Sequence, residues 1–281
     1  MATMMRPDPA RAGLGDLLRE WRKRRHQSQL ALALQAGISQ RHLSFVESGR
    51  AQPSREMVLR LAEQLEVPLR ERNRMLVAAG FAPMFAERPL DDPALDPARR
   101  AIERVLQAHE PYPALAIDRA WNLVAANRAV APLLASASPS LLEPPINVLR
   151  LSLHPDGLAP RIANLAQWRT YLLRRLQREC ELTGDVELTA LLEELRGYPV
   201  RQSRSGPRPS SIAHADERVF VPFELETDAG VLSFIGTTTV FGTPVDVTVS
   251  EIALECFFPG DAMTAEYLGR QASALQAGIS D

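Results

Sequence analysis

Short amphipathic segments, each bounded by a capping serine or a glycine, fill the first 80 residues of this 281-residue chain. In the first segment, apolar side chains recur at the i, i+3, i+4 and i+7 spacing of one buried helical face. Later segments begin after serines, whose hydroxyls cap helix N termini, and end at glycines, which tolerate a positive φ. This pattern predicts a bundle of five short helices, of which the second and third form a helix-turn-helix. The residues that set the pattern are Leu14, Leu17, Leu18, Trp21, Ser28, Gly37, Ser39, Gly49 and Ser54.

The formal net charge of −2 conceals two regions of opposite sign. Residues 1–80 carry 14 lysines and arginines against 8 acidic residues, whereas residues 81–281 carry 18 against 26. A basic N-terminal part on an otherwise acidic chain is typical of a protein that binds nucleic acid with one region and has a second role elsewhere. The charge distribution therefore supports a DNA-binding role for the predicted bundle.

The stretch SQLALALQAGISQRHLSFVESGRAQPSREMVLRLAEQL, residues 28–65, resembles the Cro/phage-repressor-type, or XRE-family, DNA-binding domain. The resemblance extends over residues 12–80 and depends on many matches at fixed spacing. The matching residues are Gln29, Ala33, Gly37, Ile38, Leu43, Val46, Glu47, Ser48, Gly49 and Pro53.

The resemblance implies which side chains contact DNA. In that fold the second helix of the motif enters the major groove by its N-terminal residues, while the first helix crosses the backbone. Gln40 and Arg41 would then contact base edges first, with Ser44 and Phe45 one turn later. Gln29, Ser48 and Arg50 would contact phosphates. Arginine pairs with guanine and glutamine with adenine. The predicted DNA-binding residues are Gln29, Ser39, Gln40, Arg41, His42, Ser44, Phe45, Ser48 and Arg50.

Two residues of the third segment need separate interpretation. Phe45 lies off the apolar stripe, so it either contacts a thymine methyl group or leans, partly buried, on the fourth helix. The negative charge of Glu47 cannot contribute to DNA binding, because DNA phosphates are negative as well. We expect it instead to lock the motif through a buried ion pair or hydrogen bond.

Composition divides the chain into three parts. Residues 1–81 form the predicted helix-turn-helix domain, and residues 82–97, which contain four prolines, form a connector. Residues 98–281 follow as a helix, a hairpin, further helices and then strands, which predicts an α+β domain with an antiparallel sheet. Residues 199–217 are polar and predict a loop. The alternating apolar residues fall on odd positions from 245 to 249 and on even positions from 252 to 258. A strand there should therefore bulge or break near Ser250.

Residues 110–262 resemble the MmyB-like ligand-binding domain found behind an XRE-type domain in bacterial regulators. The resemblance depends on RAWNLVAANRA (119–129), NVLRLSLHPDG (147–157), FELETDAGVLSF (223–234) and FFPGD (257–261). It implies a PAS-like fold with an apolar cavity that in some members takes fatty-acyl-type ligands. It also implies that Trp121 and Asn127 belong to the cavity. Three further aromatic residues are candidates for its lining, although core is the more frequent role of such residues: Trp168, Phe223 and Phe234.

Signals for other classes of protein are missing from the sequence. His109, His154 and His214 stand alone, without the HExxH or CxxC spacing of metal sites, and no nucleotide-binding or nucleophile-elbow motif occurs. Cys180 and Cys256 do not form a disulfide framework. Without an 18-residue apolar run or a secretory signal, we expect a cytoplasmic protein with no membrane contact, no metal and no enzymatic activity.

Together these features predict a sequence-specific transcription regulator, a repressor that binds a palindromic operator on double-stranded DNA as a homodimer. No cofactor is expected beyond a bound fatty acid or a similar small apolar ligand. One alternative remains: a constitutive DNA-binding regulator whose C-terminal domain serves only dimerisation or a protein partner.

Overall fold

The computed structural model describes residues 13–199 and 220–277. The chain divides into two compact units. The first unit comprises Met1–Arg88 together with Pro244–Ser250, and the second comprises Pro89–Thr243 together with Glu251–Asp281. The predicted connector, 82–97, is thus shared between the two units. Of the predicted loop 199–217, all but the first residue lies outside the described residues.

From residue 13 onward, where the description of the chain begins, five helices form the N-terminal bundle of the first unit. The second, third and fourth helices each begin directly after a predicted capping serine. The serine caps are present: each hydroxyl oxygen accepts from the backbone N–H three residues on, at 3.1 to 3.3 Å. Gly37 and Gly49 end the second and third helices with φ of +67° and +72°. The helices are α1 Leu14–Arg24, α2 Gln29–Gln35, α3 Gln40–Glu47, α4 Arg55–Gln64 and α5 Leu69–Ala78.

A core of leucines and one tryptophan holds these helices together. Trp21 is 2% exposed, and Leu18 and Leu43 are fully buried, so α1 and α3 contribute to the same core. Burying each such side chain stabilises the fold by roughly 1.5–3 kcal/mol. This confirms Trp21 as a core residue.

Helix α1 approaches α3 more closely than a side chain would allow. A Cβ atom added to Gly15 would lie 2.3 Å from the backbone oxygen of Glu47. Gly15 therefore permits a close crossing at the C-terminal end of α3, and that crossing fixes the position of this helix.

Among its described residues, the second unit contains a five-stranded antiparallel sheet with the order β2-β1-β5-β4-β3. The hairpin, the helices and the late strands all appear in the predicted order. This confirms the predicted fold class, a five-helix bundle followed by a PAS-like α+β domain. The elements are α6 Asp96–Ala108, β1 Ala114–Ile117, β2 Leu123–Ala126, α7 Ala131–Leu134, α8 Val148–Leu153, α9 Leu165–Thr183, α10 Val186–Arg196, β3 Phe223–Thr227, β4 Gly230–Val240, β5 Ala253–Pro259 and α12 Ala262–Ala277.

The two faces of the sheet pack against different helices. Ala114 and Ala116 of β1 join a small core with Ile102 and Leu106 of α6. The alternate residue of the same strand, Ile117, joins a larger core built mainly from α8, α9, α10 and β4. Because side chains alternate along a strand, the central strands are covered on both sides.

The stretch Val245–Val249 is not the strand that its alternating valines suggest. Residues Val247–Ser250 form a short helix, α11, within the first unit. Asp246 caps it, accepting from Thr248 N at 2.9 Å, and also pairs with Arg88 at 3.0 Å. The chain does break near Ser250, since β5 begins at Ala253. Capping by Asp246 outweighs the β propensity of the valines.

We expect Gly15→Ala to lower the stability of the first unit by about 1–3 kcal/mol, because the new methyl group must displace the backbone of α3. Thermal unfolding followed by circular dichroism measures the effect. The matched control is Gly269→Ala in α12, where an added Cβ meets no atom within 4 Å. The control should be neutral or slightly stabilising, because alanine favours a helix interior. Equal effects of the two substitutions would contradict the close crossing.

Candidate DNA-binding surface and ligand cavity

Helix α3 presents one face to the core and another to solvent. Leu43 and Val46 are buried at 0% and 2% exposure. Gln40 and Arg41 are exposed at the start of the helix, and further side chains one turn later are half-exposed. The residues of this outward face, called the α3 face below, are Gln40, Arg41, Ser44 and Phe45.

Arg41 and Phe45 form a pair on the α3 face. The guanidinium carbon of Arg41 lies 5.3 Å from the centroid of the Phe45 ring, a cation–π geometry. Among the described residues, Phe45 does not belong to the side chains packed against the core of the bundle. The Phe45 ring therefore places an apolar surface beside a guanidinium that can donate hydrogen bonds to a base edge. An apolar side chain of this kind can contact a thymine methyl group, and an arginine can pair with a guanine.

The other predicted DNA contacts are placed differently. The Ser39 hydroxyl oxygen caps α3, and the exposed side chains of Ser48 and Arg50 follow its end. His42 is half-buried, with Nε2 3.2 Å from Sδ of Met57. His42 therefore contacts α4 and does not lie on the α3 face.

Gln29, predicted to contact a phosphate, has an internal partner. Its Nε2 donates to Oε2 of Glu47 at 2.8 Å. The side chain thereby links the start of α2 to the end of α3. Sequence matching alone could not separate this contact from one to DNA, because both use the same amide.

Glu47 is the centre of a buried polar network. Its side chain is 1% exposed and accepts from Arg22 twice, Nε to Oε1 at 2.7 Å and Nη2 to Oε2 at 2.9 Å. Arg19 donates to the Glu47 backbone oxygen at 2.6 Å. The carboxylate thus joins α1, α2 and α3, which confirms the expected locking role.

Opposing effects act on the ionisation of Glu47. Burial raises the pKa of its carboxyl group. Hydrogen bonds from Arg22 and Gln29 and the charges of Arg22 and Arg19 together lower the pKa by more than burial raises it, so it lies below the ordinary value. The same pairing raises the pKa of Arg22. Glu47 is therefore a carboxylate at neutral pH.

The second unit contains a cavity of about 120 Å³. Strands β3, β4 and β5 and helices α8 and α9 contribute to its mainly apolar lining. Four of the five predicted ligand-binding residues are in this lining: Trp121, Trp168, Phe223 and Phe234.

Asn127 is the predicted ligand residue that does not line the cavity. Its Oδ1 accepts from Ala114 N at 3.1 Å, and its Nδ2 donates to the backbone oxygens of Leu106 and Tyr112 at 3.1 and 2.7 Å. The amide therefore ties α6 to β1. It stabilises the fold and is not available to a ligand in the cavity.

Sequence reasoning missed a polar group in the cavity. Arg175 and Glu255 both line it and form a bidentate pair, Nη2 to Oε1 at 2.6 Å and Nη1 to Oε2 at 3.1 Å. The signal was present in α9, because Arg175 falls seven residues after Trp168 and therefore on the same, apolar side of the helix. A charged residue on such a stripe indicates a buried partner.

Trp121 holds a second carboxyl group beside this pair. Its Nε1 donates to Oε2 of Glu179 at 2.7 Å, and its ring centroid lies 4.5 Å from the Arg175 guanidinium carbon. Burial raises the pKa of Glu179 above its ordinary value, even though the Trp121 hydrogen bond and the Arg175 charge act against this. Trp121 also has a φ of +65°, a strained conformation for a bulky residue and one that is frequent at functional sites.

The part of the chain that the structure describes contains no group of three His, Cys, Asp or Glu residues placed to hold a metal ion. Within the same residues, no helix is long and apolar enough to cross a membrane.

Comparisons with known proteins find family matches for both parts of the chain. Residues 98–270 match the family described as the MmyB-like transcription regulator ligand binding domain, and residues 18–72 match a helix-turn-helix family. No curated protein matches the chain. A solved structure, that of the clp gene regulator ClgR from Corynebacterium glutamicum, is 26% identical, covers 37% of this chain and 97% of its own, and has a TM-score of 0.22.

We expect Glu47→Gln to destabilise the first unit by about 3 kcal/mol at neutral pH, because the Arg22 guanidinium loses its buried countercharge. The folded-state pKa of Glu47 is lowered, so its contribution is present above the unfolded-state value of about 4.5 and is lost as the pH falls through the folded-state value. The difference between the wild type and the variant should therefore shrink as the pH falls below about 4.5, the unfolded-state value. Urea unfolding at several pH values measures it.

The control for this experiment is Glu20→Gln, which removes an exposed pair with Arg24. It should change stability by less than about 0.5 kcal/mol. A Glu47→Gln effect as small as that of the control, or one independent of pH, would contradict the role of the network.

Proposed function

Since this chain belongs to the family of MmyB-like transcription regulators, we propose that it is a cytoplasmic repressor that binds a palindromic operator and responds to a small apolar ligand. Its helix-turn-helix binds DNA and its C-terminal domain is of the ligand-binding type. The repressor role, the operator symmetry and the apolar ligand are the proposal.

The proposal of operator binding rests on the α3 face, which the Glu47 network holds in place. Arg41 presents guanidinium N–H groups and Phe45 an apolar ring, side by side and accessible. Two such helices on a two-fold axis would contact half-sites about one helical turn apart, which is why we propose a homodimer and a palindrome.

The cavity of the second unit supports the proposed response to a small apolar ligand. An apolar cavity with a few polar groups at fixed positions is the usual form of a small-molecule site. A ligand regulates DNA binding only if it binds the two states of the protein with different affinity. The cavity favours this proposal over the alternative, in which the C-terminal domain serves only dimerisation or a protein partner.

We expect Arg41→Ala to weaken operator binding by about 1–3 kcal/mol and to relax the preference at one base pair in each half-site. An operator enriched from a random-sequence pool by the wild type, with each base pair then changed in turn, provides the measurement by fluorescence anisotropy. Arg104→Ala, which removes one exposed charge from α6, controls for the loss of net charge. A loss that is uniform across all sequences would instead make Arg41 a phosphate contact.

We expect Gly236→Val to abolish binding in the cavity while keeping the fold. Gly236 lines the cavity, and an added Cβ would meet its nearest atom, in the Phe257 ring, at an ordinary 3.7 Å. The neutral dye N-phenyl-1-naphthylamine, whose fluorescence rises in apolar surroundings, should bind the wild type saturably and the variant weakly. Gly242→Val, at a glycine with open space around it, is the control and should bind as the wild type does. Equal binding by all three proteins would place the dye elsewhere.

A further inference from the structure

Arg175 is the cation among the residues that line the cavity. An arginine in an apolar cavity would ordinarily be expected to anchor a ligand carboxylate. Here, however, both terminal nitrogens already donate to Glu255, at 2.6 and 3.1 Å, in the paired geometry that a ligand carboxylate would need. The side chain of Glu255 is only 11% exposed, so solvent does little to weaken this pair.

Further groups hold Glu255 and Arg175 in place. The Thr238 hydroxyl lies 3.1 and 3.2 Å from the two carboxylate oxygens of Glu255. Glu179 lies near the same guanidinium, with Oε1 3.5 Å from Nε of Arg175. Two carboxyl groups therefore surround one guanidinium, and the polar end of the cavity has no uncompensated positive charge. A ligand carboxylate entering there would be desolvated next to Glu255 without a free countercharge.

Uncharged acceptors meet no such obstacle. A guanidinium carries five N–H donors. Arg175 donates two of them to Glu255, and its Nε lies 3.5 Å from Oε1 of Glu179, so two donors remain even if the Nε hydrogen is counted with Glu179. The Ser152 hydroxyl, also in the lining, accepts from Trp168 Nε1 at 3.0 Å and keeps its own hydrogen to donate. A carbonyl oxygen can accept from these groups without displacing a carboxylate.

We propose that the cavity selects an apolar ligand whose polar end is an uncharged hydrogen-bond acceptor, such as an ester or an amide, and discriminates against the free carboxylic acid. The inference rests on the proposed ligand-sensing function and adds the chemical class of the ligand. Glu255 is the specificity-determining residue, because it neutralises Arg175.

A series of ligands that differ only in the polar end tests the inference on the wild-type protein. Octanamide, methyl octanoate, octanoic acid and octylamine compete at neutral pH against N-phenyl-1-naphthylamine, with calorimetry as a second measurement. Octanamide and methyl octanoate should bind at least about tenfold more tightly than octanoate, the equivalent of one hydrogen bond or one desolvated charge.

Every other order overturns the inference. Tightest binding of octanoate would make Arg175 a carboxylate anchor, and tightest binding of octylamine would make the two glutamates a cation site. If neither the dye nor any octyl compound binds, the proposed ligand-sensing function fails as well. Dye binding together with a preference for octanoate leaves that function standing and removes only the selectivity.

Glu255→Gln provides a second test, because it removes the countercharge and leaves Arg175 positive. Octanoate should then gain about tenfold in affinity relative to octanamide. The matched control is Glu194→Gln, which breaks a similar bidentate pair with Arg150, at 2.8 Å for both bonds, outside the cavity lining. It should leave the order of the four ligands unchanged. The wild-type series stands by itself if Glu255→Gln fails to fold.

Discussion

A single buried carboxylate holds the DNA-binding motif in shape. Glu47 accepts from Arg22 and Gln29, and its backbone oxygen accepts from Arg19 where Gly15 lets α1 come close. A buried network of this kind destabilises the fold unless each polar group has a hydrogen-bond partner. Few alternative arrangements of the three helices therefore keep all of these bonds. The orientation of α3 is therefore fixed inside the bundle before any DNA is bound, and the α3 face is displayed on a rigid support.

The same physics recurs in the second unit with a different result. Arg175 and Glu255 also form a buried bidentate pair, but this pair borders a cavity. In the first unit the pair positions a helix; in the second it sets the electrostatic character of the cavity. In the ligand selectivity proposed above, the paired guanidinium offers its N–H groups, while Glu255 neutralises its charge.

Much of the fold follows from local pattern, and the exceptions have physical causes. Serine caps, glycine stops and apolar spacing predicted all five helices of the bundle, because each of these signals acts within one or two turns. The same reasoning failed at Val245–Val249, where capping by Asp246 and its contact with Arg88 produce a helix. The family resemblance, in turn, assigned the amide of Asn127 to the cavity, although three backbone groups of the fold use it.

The sequence by itself determined the two-part organisation, the helix-turn-helix, the outward position of Arg41 and Phe45, and an aromatic-rich α+β domain. Charge balance, capping and periodicity are properties of neighbouring residues, so they can be obtained from the chain directly. Only the tertiary structure decided which polar side chains are already occupied. Arg175 and Glu255 are 80 residues apart, and Arg22 and Glu47 are 25 apart. Their pairing depends on how distant segments pack, because a hydrogen bond requires two atoms within about 3 Å.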